Sequence, residues 1–247
     1  MPVINSNLNF TPKQPSLKGV FVSDLHVFSG RSVGESLPNQ LPAAFPDANL
    51  LVLGGDIFDF KWSHLGETGT LVAAERWLLS VLEEWQGKVM FLAGNHDCLP
   101  KFLDVMQNVA HRCDRFSWHD HHVQLGDALF LHGDVLDAGS HVSMLADYRY
   151  KFHPTCNQTT LSRRAYSAIV AMRLHRMAPK LRHRQLQTCQ KLYNFLPQLV
   201  ETPKQVRRVF YGHTHVSMAG CEFQGVQFFN PGAAVRHIAF RPIQFEV

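Results

Sequence analysis

Five short apolar runs, each ending at a polar cluster, constrain this chain more than any other feature: Gly19-Val-Phe-Val-Ser-Asp24, Leu50-Leu-Val-Leu-Gly-Gly-Asp56, Lys88-Val-Met-Phe-Leu-Ala-Gly94, Ala128-Leu-Phe-Leu-His132 and Arg208-Val-Phe-Tyr-Gly212. Runs this apolar predict central strands covered on both faces. Between the second and third, Leu71, Ala74, Leu78, Val81, Leu82 and Trp85 recur at helical spacing, which makes that piece a strand-helix-strand unit. A layered α/β architecture follows. After Gly212 the runs Val216–Phe223, Val226–Phe229 and Ala234–Phe240 alternate and read as antiparallel strands closing a second sheet.

A chain of 247 residues, 45% hydrophobic and 18% charged, can bury a full core as a single α/β domain carrying an insertion. Residues 1–18 read as a loose polar tail and 19–247 as the domain. No apolar run approaches the roughly 18 residues that a bilayer span needs. The start lacks the apolar core of a secretory signal, so a cytoplasmic protein is expected. Cys98, Cys113, Cys156, Cys189 and Cys221 are odd in number, scattered and without a CxxC pair, which predicts reduced thiols.

Residues 138–200 hold no strand-like run. Ala165, Ile169 and Met172, then Leu186, Leu192 and Leu196, fit helices broken near Pro154, Pro179 and Pro197. From Arg149 to Lys191 there are ten Lys or Arg and no Asp or Glu, although the whole chain carries a net charge of only +4. The segment reads as a basic helical insertion, and its charge speaks of an anionic partner rather than of fold.

Ligands of open α/β sheets collect outside the carboxyl ends of the strands. The residues just past the five runs therefore belong to one set: Asp24 and His26; Asp56 and Asp59; Asn95, His96 and Asp97; His132 and Asp134; His213 and His215. Carboxylates, imidazoles and one amide carbonyl, with no thiolate, suit borderline-hard divalent ions. Burying so many ionisable groups without compensating charge costs on the order of several kcal/mol per ion, and two divalent cations would offset that. Asp59 and Asp134 read as partners that orient metal-bound histidines. The stretch Trp118-His-Asp-His-His122 reads as a solvated turn, and His64, His111, His141, His153, His175, His183 and His237 as ordinary histidines, with His64 and His237 near enough in loops to approach the set.

With these motifs the chain resembles the calcineurin-like metallophosphoesterases, whose signature DxH, GDxxD, GNHD/E, H and GHxH stands here as Asp24-Leu-His26, Gly55-Asp-Ile-Phe-Asp59, Gly94-Asn-His-Asp97, His132-Gly-Asp134 and Gly212-His-Thr-His215. The resemblance implies a four-layer αββα sandwich with a helical lid. It implies a first metal on Asp24, His26, Asp56 and His215, and a second on Asp56, Asn95, His132 and His213, with Asp56 bridging. Manganese is the first choice for both ions, and Fe, Zn or Ni fit the same donors. His96 is implied to be catalytic rather than a ligand, as general acid to the leaving group or as a transition-state cation, with Asn95 beside it and Asp97 orienting its surroundings. Two such ions about 3.5–4 Å apart activate water and clamp the attacking and leaving oxygens of an in-line displacement at phosphorus.

The insertion bears on the substrate. Its opening, Tyr148-Arg-Tyr-Lys-Phe-His-Pro154, resembles the start of the lid in the UDP-2,3-diacylglucosamine diphosphatases of lipid A synthesis, which release UMP and an acylated sugar 1-phosphate. That resemblance implies substrate contacts from Tyr148, Arg149, Lys151, Arg163 and Arg164 and a peripheral contact of the basic lid with the inner face of a membrane. His96 stands where many enzymes of that branch carry Arg, so another phosphodiesterase, or a nuclease acting on nucleotides or nucleic acid, stays open. Against base stacking, Tyr166 is the sole aromatic between Arg163 and Lys191. A non-catalytic module ranks last, because every ligand of the signature is present.

Overall fold

The computed structural model describes residues 16–139, 141–152 and 184–247. Ten strands are formed: β1 Lys18–Val22, β2 Leu50–Leu53, β3 Lys88–Leu92, β4 Phe116–His119, β5 His122–Leu125, β6 Ala128–Leu131, β7 Arg208–Tyr211, β8 Met218–Phe223, β9 Val226–Asn230 and β10 Ile243–Glu246. The described α-helices are α1 Leu37–Ala44, α2 Gly66–Glu84, α3 Pro100–Arg112, α4 Val135–Ala138, α5 Leu145–Tyr150 and α6 Gln185–Leu199. The strands form two five-stranded sheets, in the orders β10-β1-β2-β3-β4 and β5-β6-β7-β9-β8. In the first, β1 to β4 run parallel and β10 is the antiparallel edge. In the second, β6, β7 and β9 are parallel, flanked by antiparallel β5 and β8.

The five apolar runs are the central strands because each supplies two apolar faces at a period of two. Val20 and Val22 of β1 join Leu51, Leu53, Val89 and Phe91 in a core closed by Leu78 and Val81 of α2 and Phe102 and Met106 of α3. Phe21, Leu50, Val52 and Leu92 point the other way and meet Ala128, Phe130 and Phe210 between the sheets. Leu129, Leu131, Val209 and Tyr211 turn outward again, against Cys189, Leu192, Phe195 and Leu196 of α6. Three cores between four layers is the αββα sandwich expected. Each fully buried aliphatic or phenyl side chain contributes roughly 1.5–3 kcal/mol relative to exposure, and the mid-layer rings also stack, Phe130 on Phe210 at 4.8 Å and Phe210 on Phe229 at 4.9 Å.

Several expectations are corrected. Ala234–Phe240 forms no strand, only isolated bridges; the last strand is β10, and it closes the first sheet rather than the second. Pro197 does not break α6, which continues to Leu199; in a last turn the ring removes one amide bond and little helix remains to distort. His119 and His122 are the ends of β4 and β5, so the Trp118–His122 stretch is the crossing from one sheet to the other with Asp120 and His121 as its tip. Of the tail, Leu17 already pairs with Val247 and Lys18 opens β1; residues 1–15, like Pro154, Pro179 and most of the basic insertion, lie outside the described residues. None of the described helices is long and apolar enough to cross a membrane.

Candidate metal centre

The loops leaving β1, β2, β3, β6 and β7 meet at one end of the sandwich, and backbone bonds fix how they meet. The ladder between β1 and β2 continues past the strands, Asp24 N–H donating to Gly55 O at 3.0 Å and His26 N–H to Asp56 O at 3.0 Å. Across the sheets, His213 N–H donates to both oxygens of Asp24 at 3.0 Å; within the first sheet, His96 N–H donates to Asp56 Oδ1 at 2.8 Å. Five of these residues have left-handed backbones: Asp24 (φ 54°), His26 (48°), Asp56 (51°), His213 (64°) and His215 (55°). Each such residue costs about 1–2 kcal/mol, and strain gathered in this way marks a functional site.

Two groups of ligand atoms result, Asp24 with His26 and His215, and Asp56 with His132 and His213, the atoms of each lying within 4.8 Å of one another. Nε2 of His26 is 3.0 Å from Nε2 of His215, and Asp24 Oδ1 is 3.3 Å from the latter. Asn95 Oδ1 sits 3.2 Å from His132 Nε2 and 3.0 Å from His213 Nδ1. Asp56 lies between the groups, Oδ1 at 3.3 Å from His132 Nε2 and Oδ2 at 4.0 Å from His26 Nε2. Each group draws on both sheets: Asp24, His26, Asp56 and Asn95 follow strands of the first, and His132, His213 and His215 strands of the second.

The electrostatics fit a cation. Burial works to raise the pKa of Asp24 and of Asp56, yet neighbouring imidazoles, His215 for Asp24 and His132 for Asp56, outweigh it and hold both carboxylates ionised. Burial pulls His132 down, but Asp56 overcomes it and lifts the imidazole to about 10. A proton is held there where a metal charge would replace it. The far ring atom of His132 is fixed by Gly54 O at 3.0 Å, which aims Nε2 at Asp56 and Asn95. These are oxygen and imidazole donors converging from a buried shell, as a divalent metal centre requires.

A third group, His26, Asp59 and His96, is held by hydrogen bonds. Asp59 Oδ1 accepts from His96 Nδ1 at 2.9 Å, and Oδ2 lies 3.4 Å from His26 Nδ1. Burial lowers the His96 pKa, but Asp59 and Asp56 outweigh it and raise the value above the ordinary range. Asp97 Oδ1 accepts the Gly94 amide at 2.6 Å and Oδ2 the Ile57 amide at 2.7 Å, so it ties the β3 loop to the β2 loop. Burial, then Asp56, pushes its carboxyl up to about 7.

Other residues take places the sequence did not indicate. Asp134, expected to orient a ligand histidine, is paired with Arg149, Nε to Oδ2 at 2.7 Å. That office falls to Asp137 of α4, whose Oδ2 is 3.0 Å from His213 Nε2. Arg149, expected to meet substrate, is 4% exposed and also donates to Asp120 O, Asp120 Oδ1 and Ala93 O. Burying a guanidinium in this way is possible because all three of its nitrogens have acceptors. Tyr148 packs 6.2 Å from the His213 ring and Phe152 5.3 Å from the His96 ring; Lys151 is exposed, and Arg163 and Arg164 lie outside the described residues. His64 bonds Phe28 O, and neither it nor His237 enters a ligand group. Arg31, unmarked in the sequence reading, places Nη2 3.3 Å from His26 Nδ1 and 3.4 Å from Asp59 Oδ2.

The model of the calcineurin-like phosphoesterases matches residues 17–217, and the chain belongs to that family. It is a metal-dependent phosphohydrolase. Among solved structures it is similar to the phosphoesterase Yfce from E. coli, at 18% identity over 88% of this chain and 80% of that one with a TM-score of 0.40. A dimetal phosphatase from Danio rerio is similar at 12% identity, 93% and 95% coverage and a TM-score of 0.42. Vps29 of Chaetomium thermophilum follows at 11% identity, 94% and 95% coverage and a TM-score of 0.38. No curated protein sequence matches the chain.

Proposed function

We propose that the protein is a two-metal hydrolase of a diphosphate diester, of the kind represented by UDP-2,3-diacylglucosamine, releasing UMP and an acylated sugar 1-phosphate. The observation that carries the reading is Asp56, a single carboxylate set between two ligand groups. Asp24, His26, Asp56 and His215 would hold one divalent ion, and Asp56, Asn95, His132 and His213 the other, manganese being the first choice. Bound there, the ions supply a nucleophile from water at neutral pH and polarise the phosphoryl oxygens.

The protein's own groups do the rest. His96 Nδ1 is engaged by Asp59, so Nε2 is the ring atom left to carry a proton to the leaving oxygen or to meet its charge. Asp59 orients the ring and, with Asp56, raises its pKa against the pull of burial. Asp97 and the amides it binds hold the β2 and β3 loops at a fixed separation, which positions His96 against Asp56. The basic insertion is suited to an anionic lipid surface, and the Tyr148-Arg-Tyr-Lys-Phe-His opening supports the choice of substrate.

Phosphorus NMR on the manganese-loaded protein, with UDP-2,3-diacylglucosamine beside bis-p-nitrophenyl phosphate, tests the reading. UMP should appear from the lipid. Turnover of the diester alone would discard the lipid assignment in favour of another phosphodiester.

A further inference from the structure

The turn that follows Asp59 carries a cation, Lys61, and is bonded to the acid His96. It is fastened to His96 on two sides: Asp59 Oδ1 accepts both His96 Nδ1–H at 2.9 Å and Trp62 N–H at 3.0 Å, and Phe60 N–H donates to His96 O at 3.3 Å. Between Phe60 and Trp62 stands Lys61. Its Nζ lies 4.9 Å from the centroid of Phe152 and 6.0 Å from that of Trp62, and the Phe152 ring packs 5.3 Å from the His96 ring. Lys61 is half-buried, and among the described residues no carboxylate is within ion-pair distance of it. Aromatic faces hold an ammonium in place without neutralising it, so the charge is kept available and its position is tied to the acid.

We propose that Lys61 is a substrate-binding residue, its ammonium receiving the second phosphoryl group of a diphosphate diester beside His96. The inference rests on the two-metal hydrolase reading and assigns a residue to its substrate class. In the reaction the water oxygen bonds to the attacked phosphorus and gives up a proton to solvent. The bond from that phosphorus to the bridging oxygen breaks, and the electron pair stays on the leaving phosphate. A leaving phosphate is a weak base that needs a proton less than it needs a cation, because its charge grows on the side where His96 stands. A monophosphate diester places an alkyl or aryl group there and gives Lys61 nothing to bind.

The test compares wild type with Lys61→Met, which keeps the apolar stem over Phe152, and with Lys61→Arg. UDP-glucose and ADP-ribose serve as diphosphate probes and bis-p-nitrophenyl phosphate as the single-phosphoryl control, all with manganese. Losing one charge-assisted contact should lower kcat/KM for Lys61→Met about tenfold on the diphosphates, mainly through KM, and leave the control within about twofold. Lys61→Arg should restore most of the difference. Equal effects on all three substrates, or none on the diphosphates, overturn the proposal. Calorimetric binding of inorganic pyrophosphate against inorganic phosphate to the same metal-loaded proteins reads the contact without turnover, and a Lys61→Met protein that still prefers pyrophosphate as wild type does also overturns it. A wild type that binds pyrophosphate through Lys61 yet cleaves no ester would sink the hydrolase reading and leave the contact standing.

Discussion

Alanine in place of His96 is expected to leave the metal content unchanged and to lower turnover by about 10²–10⁴-fold, the usual worth of a positioned proton donor. Metal analysis beside a steady-state assay decides it, since loss of metal from His96→Ala would make the imidazole a ligand. At this scale the sequence was most informative, and the reason is steric. Cβ built on Gly212 would overlap Asp24 Oδ2 and Ser23 Oγ, and on Gly94 it would overlap the Asp56 carboxylate and amide. The glycines before Asn95 and His213 are therefore dictated by how closely the backbone passes a carboxylate, so those two motifs are visible as spelling. Asp137 and Arg31 carry no such mark. His213 lies 76 positions from Asp137 and Asp59 lies 28 from Arg31, and although His26 is only five positions from Arg31, nothing in the neighbouring residue types announces the contact.

Among the elements, α5 and the β4–β5 crossing depend on each other through Arg149. One guanidinium joins Ala93 O past β3, Asp120 at the crossing and Asp134 past β6. Removing one partner of a buried pair strands the other, so Arg149→Ala should destabilise the fold by about 3–5 kcal/mol. Urea denaturation should show it, with KM on any accepted substrate changing little in the protein that remains folded. The resemblance of the Tyr148–Pro154 opening implied a substrate contact for Arg149, and neither a motif nor a charge run reveals that its guanidinium is buried. The crossing should also respond to acid. Burial lowers the pKa of His119, and burial with His121 and His119 lowers that of His122; His119 Nε2 and His122 Nδ1 are buried without hydrogen-bond partners. Both are neutral in the fold while the unfolded chain takes up protons near pH 6.5, so stability is unaffected above that value and falls as pH drops below it. Melting temperatures at pH 7.5 and about 5.5 should fall further for wild type than for a His119→Leu, His122→Leu double variant. The strands were legible because apolar residues on two faces admit few readings. Ala234–Phe240 was not, since its alternation serves a loop pinned by single bridges to Ser32 and Gly232.

At the scale of the whole molecule, two sheets share a phenylalanine-rich interior and, at one end, a set of ligands. Metal should raise the melting temperature with the logarithm of its free concentration, by about 2.7 kcal/mol of stability at a hundredfold excess over Kd if the unfolded chain binds none. Calorimetry across a manganese titration checks this, and a flat response would mean that the ligand groups do not bind. A layered α/β architecture with a second sheet was readable from the apolar runs and one helix, and the four-layer sandwich came from the family resemblance. Which sheet receives the last strand was not, because β10 is chosen by its edge partner β1 and not by its own pattern.

The split between the two sheets of the groups around Asp24 and Asp56 has a mechanical consequence. With metal bound, parting the sheets at that end would mean opening a chelate, so the ions would act as a clasp on a hinged pair of plates. A chelator would then behave as a local denaturant: amide exchange should quicken first at the carboxyl ends of β1, β2, β6 and β7, while the phenylalanine stack at mid-layer stays shut.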